Sequence, residues 1–388
     1  MNEKSSNVLI VGSGIVGMAT LVTLEKYAIK TSLLSHSKNI KNNSPDPRFY
    51  AITPGVKKWL EENGVCNFLS KDLMSPVNKI LVYSNKENTS LSFDAYDAGM
   101  SELAFIINHD DLEKAFMNRI SKISYDEIKI DGTESLNIEM DHVDLVKEKG
   151  QKYQFKLIIG ADGSNSWVRS QSAIEFRDKT FNQTALVFNI KSAKAHQGCA
   201  YQKFMLDGIL ALLPIQTHEY SVVFSLNDNI LDEYKKLNDA TFLMKLKNEL
   251  GETFGEIDLL SKRQYFPLSM KINESLISER VILIGDAAHQ VHPLAGQGLN
   301  LGLRDVIELD ELLNSYQEYH HDLGLKQFLK KYNRNRKTDI LSLSYLTDQL
   351  SHIFSSQSRI VDFVVNLGLN KINQNHLIKK ILIEKATH

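Results

Sequence analysis

The sequence predicts an α/β fold in which a nucleotide-binding unit with a parallel sheet is interleaved with a largely antiparallel sheet and closed by C-terminal helices. Three observations predict it. A glycine-rich turn, Gly12 to Gly17, stands between a short apolar strand and a helix. From about Phe181 to Leu268 the chain changes to short β-type runs. From Leu299 onward helical spacing dominates to the end.

The elements follow in order. Asn7–Val11 reads as a strand, Met18–Tyr27 as a helix and Thr31–Leu34 as a second strand. Residues 36–48 are polar with two prolines and form a loop. Val56–Glu62 reads as a helix ended by Asn63-Gly64. Lys79–Phe93 holds two strand-like runs with a turn between them. Asp110–Ile120 is helical, because Leu112, Ala115, Phe116 and Ile120 share one face. Phe155–Gly160 is a buried strand. Ala185–Ile190, Ala200–Met205, Ile209–Pro214 and Tyr220–Leu226 read as strands of the inserted sheet, followed by a helix near Ala240–Glu249. Arg280–Ile284 returns to a buried strand, and Leu299–Leu313 is a helix.

Composition narrows the class. At 388 residues the chain is long enough for two domains and a real core. With 43% apolar and 24% charged residues it is neither disordered nor a polytopic membrane protein. A net charge of −2 gives no reason to expect nucleic acid as a partner. The two cysteines, Cys66 and Cys199, are too few for a disulfide framework or a cysteine metal site, which fits a reducing compartment. The apolar stretch Val8–Leu24 is broken by glycines and threonines and runs straight into Glu25 and Lys26, so it is read as a strand and helix and not as an export signal.

Three motifs carry chemistry. In Gly12-Ser13-Gly14-Ile15-Val16-Gly17 the first glycine permits the tight turn and the second admits a pyrophosphate. The third lets helix and strand pack closely. The helix N-terminus then offers free N–H groups to phosphates. The acid that usually ends the second strand and binds a ribose is missing, and Ser35 stands there. A serine lacks a carboxylate's charge assistance, so adenosine is bound more loosely or another group compensates. The second motif, Gly160-Ala161-Asp162-Gly163-Ser164-Asn165, also follows a strand. The third begins Gly285-Asp286-Ala287-Ala288-His289 and continues through Pro293, Gly296, Gln297, Gly298, Leu299 and Asn300. Asp286 is an acceptor suited to a polyol, and the glycines let backbone N–H groups face a flat ligand.

These motifs, in this order and spacing, resemble the group A FAD-dependent aromatic hydroxylases. The run from His292 through Leu294, Gly302 and Arg304 to Asp305, and Asp46-Pro47-Arg48-Phe49-Tyr50-Ala51-Ile52-Thr53 followed by Asn63-Gly64-Val65, are similar to their ubiquinone-biosynthesis subgroup. Leu367-Gly368-Leu369 and Lys379–Ala386 are similar to that subgroup's tail. The resemblance spans nearly the whole chain. It implies a para-hydroxybenzoate-hydroxylase-like fold, with an FAD-binding domain at 1–75, 104–178 and 269–330. The sheet domain would take 76–103 and 179–268, and a helical region 331–388.

It further implies that Gly12, Ser13, Gly14 and Gly17 hold the FAD pyrophosphate, with Ser35 at the ribose and Arg48 at the phosphates or ribityl chain. Asp162 is expected near the pyrophosphate and Asp286 at the ribityl chain. Gly296, Gln297, Gly298, Leu299 and Asn300 are expected along the isoalloxazine. Pro293, Gly296 and Gln297 form the flavin-positioning loop nearest to catalysis, and His109 is given no role. The implied reaction hydroxylates the aromatic ring of a polyprenylated ubiquinone precursor with NAD(P)H and O2, through a flavin C4a-hydroperoxide. Two alternatives stand beside it: a same-fold flavin oxidoreductase with another phenolic or prenyl substrate, and a non-catalytic scaffold in a ubiquinone-biosynthesis complex.

Other features read more plainly. His289 and His292 lack a third ligand, so no metal is expected. His320-His321 reads as a solvated helix end. Ser13 does not sit in a five-residue nucleophile elbow. Asp94, Asp97 and Glu102 read as a solvated acidic loop. The basic run Lys326, Lys330, Lys331, Arg334, Arg336, Lys337 reads as an exposed helix face, with contact to anionic lipid or an acidic partner as the sharper reading. The expected location is cytoplasmic, with peripheral contact at the inner face of the membrane on that sharper reading.

Overall fold

A computed structural model describes residues 7–35, 46–83, 90–130, 132, 134–147, 150–290, 297–315, 322–355, 379–380 and 383. Its first sheet has six strands in the order Ile277–Ser278, Val281–Leu283, Leu157–Gly160, Val8–Val11, Thr31–Ser35, Asp126–Lys129. All neighbours are parallel except the first pair. Val8–Val11, Leu157–Gly160 and Val281–Leu283 are buried at every position, as expected of parallel strands covered on both faces. The helix Ile15–Lys26 is buried nearly all round because the sheet lies on one side and the helices His109–Ile120 and Gln297–Ser315 on the other. That is why it carries almost no polar face. Residues 135–155 form a three-stranded antiparallel meander that periodicity did not reveal.

The second sheet has nine strands. Lys79–Tyr83 and Ser90–Asp94 join it from the first part of the chain, and Cys199–Met205 pairs parallel with Lys79–Tyr83. Phe176–Ser192 and Gln264–Asn273 pair antiparallel along most of their length and run across the expected divisions at 178/179 and 268/269. The alternation of the strands sorts their side chains. Leu186, Phe188, Leu212, Val222 and Phe224 form a core with the helices Asp228–Lys236 and Asp239–Leu250. The intervening Ala185, Val187, Ala211, Leu213 and Val223 face a cavity on the other side. A small third sheet pairs Ala104–Asn108 antiparallel with Phe49–Ile52 on one side and Ser75–Val77 on the other.

Several sequence expectations shift. The first helix starts at Ile15, three residues early, since Gly14 is its N-cap. The expected helix at Leu299 begins at Gln297. Asp97 does not sit free in a solvated loop: it pairs with Lys379 at 3.6 Å, beside Ile383 packed on Ala95 and Leu103. Of the basic run, Arg336 is buried and belongs to the core, which narrows the exposed face of the helix Lys326–Ser355. Residues 292, 293, 296, 320–321 and 367–369 lie outside the described residues. Among the described residues, no helix is long and apolar enough to cross a membrane.

Asp305, fully buried on Gln297–Ser315, ties the loop Gly285–His289 to the long helices. Its Oδ2 accepts from the Gly285 N–H at 2.8 Å and lies 2.7 Å from His289 Nε2, and its Oδ1 accepts from Arg336 Nε at 2.7 Å. His289 and Arg336 hold this carboxyl below the usual range, against the upward pull of burial, which is the largest influence on it. Its stabilisation is therefore present in full above the unfolded carboxyl value and is lost as pH falls through the lower folded value. Asp305→Asn should cost about 3 kcal/mol at neutral pH. It should also flatten the acid limb of the pH–stability profile below about pH 4; urea denaturation of both proteins across pH 2–7 measures this.

Candidate functional site: a two-part cleft at the strand ends

The cleft opens at the carboxyl ends of the parallel strands, where α/β sheets bind ligands. Two adjoining cavities of about 570 and 450 Å³ share Gly14, Ala161 and Gly163 as walls. The first is lined by Gly12, Ser13, Leu34, Ile130, Glu134, Asp162 and Trp167. The second reaches Arg48, Tyr50, His109, Asp286, Gly298 and Leu299, then the apolar face of the large sheet with Phe266 and Leu268.

The glycine turn shows why its spacing matters. Gly12 has φ +109°, and a Cβ there would lie 2.3 Å from the Ala161 carbonyl oxygen. A Cβ on Gly17 would lie 2.0 Å from the Gly12 carbonyl oxygen. Around Gly14 nothing stands within 4 Å, so this glycine keeps the cavity wall low without being demanded by protein packing. The helix behind it has no side-chain cap and no acid in its first turn, which leaves its leading N–H groups available to an anion. Gly302, assigned no role beyond its place in the third motif's continuation, brings the helix Gln297–Ser315 against Val16 and Gly285, where a Cβ would meet them at 3.0 and 3.1 Å.

This geometry fits a dinucleotide: two glycines without room for a side chain, one open glycine, and unclaimed helix donors facing a long cleft. A family model described as FAD binding domain matches residues 5–339. The chain belongs to this family. FAD is therefore its cofactor. Along 99% of its length the chain is 26% identical to ubiquinone hydroxylase UbiL of Rhodospirillum rubrum, covering 90% of that protein. It is 25% identical to 3-demethoxyubiquinol 3-hydroxylase of Escherichia coli, with 100% and 99% covered. It is 27% identical to ubiquinone biosynthesis monooxygenase COQ6 of Danio rerio, with 98% and 89% covered. The fold matches the crystal structure of p-nitrophenol 4-monooxygenase PnpA of Pseudomonas putida with a TM-score of 0.77 at 16% identity, covering 100% and 99% of the two chains.

The expected site residues divide into groups. Gly12, Ser13 and Gly14 line the first cavity, while Gly17 acts behind it by packing on Gly12. Asp286, Gly298 and Leu299 line the second. Asp286 is exposed toward the cleft yet closely surrounded by protein; loss of hydration raises its carboxyl pKa, while His289 and Arg48 pull it down. Arg48 also lines the second cavity, held by Asp46 at 2.9 Å and lying 5.5 Å from the Phe266 ring centre.

Other expected residues meet protein partners. Asp162 lines the first cavity, but its carboxylate accepts from Ser166 Oγ and from the N–H groups of Trp167 and Val168. It thereby shapes the turn into the helix Trp167–Gln171. The Asn300 amide donates to Ala51 O at 2.7 Å and accepts from the Thr53 N–H at 3.0 Å, clamping the strand Phe49–Ile52 to the helix. Ser35 is buried, and its hydroxyl donates to Glu127 at 3.1 Å. Pro293 and Gly296 lie outside the described residues, as does the Gln297 side chain.

The sequence reading missed Tyr50 and His109 as a pair. Tyr50 Oη lies 3.1 Å from His109 Nδ1, with Asp46 and Arg48 beside them. Burial pushes the Tyr50 phenol up to about 12 and, with Arg48, lowers the His109 pKa. The signal was in the sequence, in that Arg48, Tyr50 and Asn108-His109 flank two strands that pair, but only the register Phe49↔Asn108 brings them together.

The three glycines should separate by substitution. Gly12→Ala and Gly17→Ala should lower the melting temperature of the apoprotein by several degrees, since backbone must move. Gly14→Ala should leave it nearly unchanged while weakening FAD binding by about tenfold or more. Differential scanning fluorimetry and flavin-fluorescence titration read the two effects separately.

Proposed function

We propose that this flavoprotein is a monooxygenase that hydroxylates the aromatic ring of a polyprenylated ubiquinone precursor, using NAD(P)H and O2. The observation that carries the reading is the second cavity. It runs from Asp286 and Gly298 directly onto an apolar sheet face formed by Ala185, Val187, Ala211, Leu213 and Val223. The ubiquinone-pathway names of relatives matched over nearly their whole length support the substrate class.

When bound, FAD supplies electron transfer from NAD(P)H and activation of O2. The protein supplies position and dryness. Gly12, Ser13 and Gly14, with the helix donors, hold the pyrophosphate, and Asp286 and Arg48 the ribityl and phosphate region. Gly298 and Leu299 lie along the flavin ring. Gln297 opens the same helix, and with Pro293 and Gly296 it completes the flavin-positioning loop in this reading. The apolar sheet face keeps water from the reacting ring and leaves room for a prenylated one. The parallel sheet thus serves the cofactor and the large sheet the substrate.

A strain lacking the protein should accumulate a quinone precursor one ring hydroxyl short. Wild type should restore the product and Asp286→Ala should not, because its FAD content falls sharply. An unchanged quinone profile in the deletion strain would overturn the substrate assignment; full flavin occupancy in Asp286→Ala would overturn the ribityl assignment.

A peripheral membrane contact completes the proposal. Lys326, Lys330, Arg334 and Lys337 lie on the exposed face of the helix Lys326–Ser355, with exposed Leu325 just before the helix and exposed Leu341 near its middle. Basic side chains flanked by leucines suit an anionic headgroup layer. The protein should sediment with phosphatidylglycerol vesicles and not with phosphatidylcholine vesicles, and Lys330→Glu/Arg334→Glu should abolish this. Equal recovery of wild type and variant would remove the membrane contact from the proposal.

A further inference from the structure

The wall of the second cavity holds a polar pair beside Arg48. His109 opens the helix His109–Ile120, and Tyr50 lies on the strand Phe49–Ile52. Both line the cavity, as do Gly14, Ile15 and Val16 at the uncapped start of the first helix. Tyr50 Oη is 3.1 Å from His109 Nδ1, and the two rings meet edge to face at 5.8 Å. The His109 main chain is held too, its N–H donating to Arg48 O at 3.0 Å. Nε2 of the imidazole hydrogen-bonds to no partner among the described residues.

The charges around the ring are mixed. Arg48 and Asp46 face it from the segment leading into the strand, and Asp110 and Glu113 from its own helix. Asp46 is committed to Arg48 through Nε, and Asp110 accepts from the Asp46 N–H at 3.2 Å. Burial first, and then Arg48, hold the His109 pKa below the ordinary histidine value, so the free protein keeps this ring neutral at pH 7. Burial also keeps the Tyr50 phenol protonated. A protonated phenol donates to Nδ1, which leaves the imidazole's hydrogen on Nε2 as a donor. When the ring gains a proton, Nδ1–H donates to Oη instead and the contact survives.

We infer that His109, oriented by Tyr50, donates to the phosphate and ribityl stretch of FAD and makes cofactor binding proton-linked, tighter as pH falls. The inference rests on the FAD-binding reading of the cleft. A neutral imidazole offers an anion an ordinary hydrogen bond, and an imidazolium a charge-assisted one. The anion therefore favours the protonated ring, and by reciprocity the proton favours the anion. Binding takes up a proton. Affinity rises as pH falls through the imidazole's value in the complex and levels off below its lower value in the free protein.

The test titrates FAD into the apoprotein by flavin fluorescence from about pH 8 to about pH 5.5, spanning the histidine range. Thermal melts establish folding at each pH. Wild-type affinity should rise about tenfold over that span, the scale of one charge-assisted hydrogen bond. His109→Gln keeps a neutral donor that cannot titrate, so the rise should vanish although Asp46, Asp110, Glu113 and Asp286 remain. Tyr50→Phe should weaken FAD about fivefold at the alkaline end, where the tautomer matters, and little at the acid end, where both ring nitrogens carry hydrogen. A flat wild-type profile would overturn the inference, as would the same rise in His109→Gln. Equal losses at both ends in Tyr50→Phe would overturn the part given to Tyr50. If His109→Gln does not fold, His109→Arg decides: tight binding across the span is expected, and a rise like that of wild type overturns the inference. Failure of the wild type to bind FAD at any pH would instead overturn the reading of the cleft.

Discussion

The cleft depends on one buried carboxylate. Asp305 collects a backbone N–H and an imidazole from the loop Gly285–His289 and a guanidinium from the helix Lys326–Ser355, joining both to its own helix in a core that excludes water. A buried charge is tolerable only when paired and hydrogen-bonded, so the three segments are held to one arrangement. Arg336 extends the network to Asp339 at 2.6 Å, and Asp339 reaches Arg304 at 2.6 Å. Gly285 is thereby held at φ +60° against Val16, and the next residue, Asp286, is presented to the cleft. An acid that lines the cleft is positioned by a second acid that is buried away from it.

The two halves of the cleft follow from two kinds of sheet. Parallel strands buried on both faces can offer a ligand only their ends, so the first half is built from turns, glycine backbone and a helix terminus. An antiparallel sheet with helices on one side has a second face to offer, and here that face is apolar. One strand pattern thus serves a folding core and a cavity wall, residue by alternate residue. Arg48 and Asp286 stand near the junction, where charge remains useful.

Much of this was legible in the sequence, and the exceptions have a common physical cause. The glycine turn, the buried strands and most helices announced themselves because each is a local pattern. The glycines at 12, 14 and 298 and Asp286, singled out in the sequence, line the cleft. The meander of Ser135–Ile138, Val143–Val146 and Lys152–Phe155 was missed because each strand is only four residues long, and the helix Asp228–Lys236 because it follows a strand without a break. Asp162, Asn300 and Ser35 were assigned to the ligand, while their polar atoms meet backbone or side-chain partners that only the tertiary fold brings near. Tyr50 with His109, and Glu134 in the cleft wall, depend on register and on chain segments far apart. No window of sequence contains both sides of such a contact.

The position of the strand Val8–Val11 has a consequence for how the protein is made. It is made well before its partners, for on one edge it hydrogen-bonds to Leu157–Gly160, which in turn needs Val281–Leu283. The lock on that last strand's loop is Arg336. At roughly 5–20 residues per second, the interval between the second strand and that arginine is on the order of 15–60 s. Through that time a fully apolar strand has an unsatisfied edge, and the glycine turn has no Ala161 to close against. Completion only once Arg336 has emerged makes the nascent chain a natural client for chaperones, and it places cofactor capture after that point.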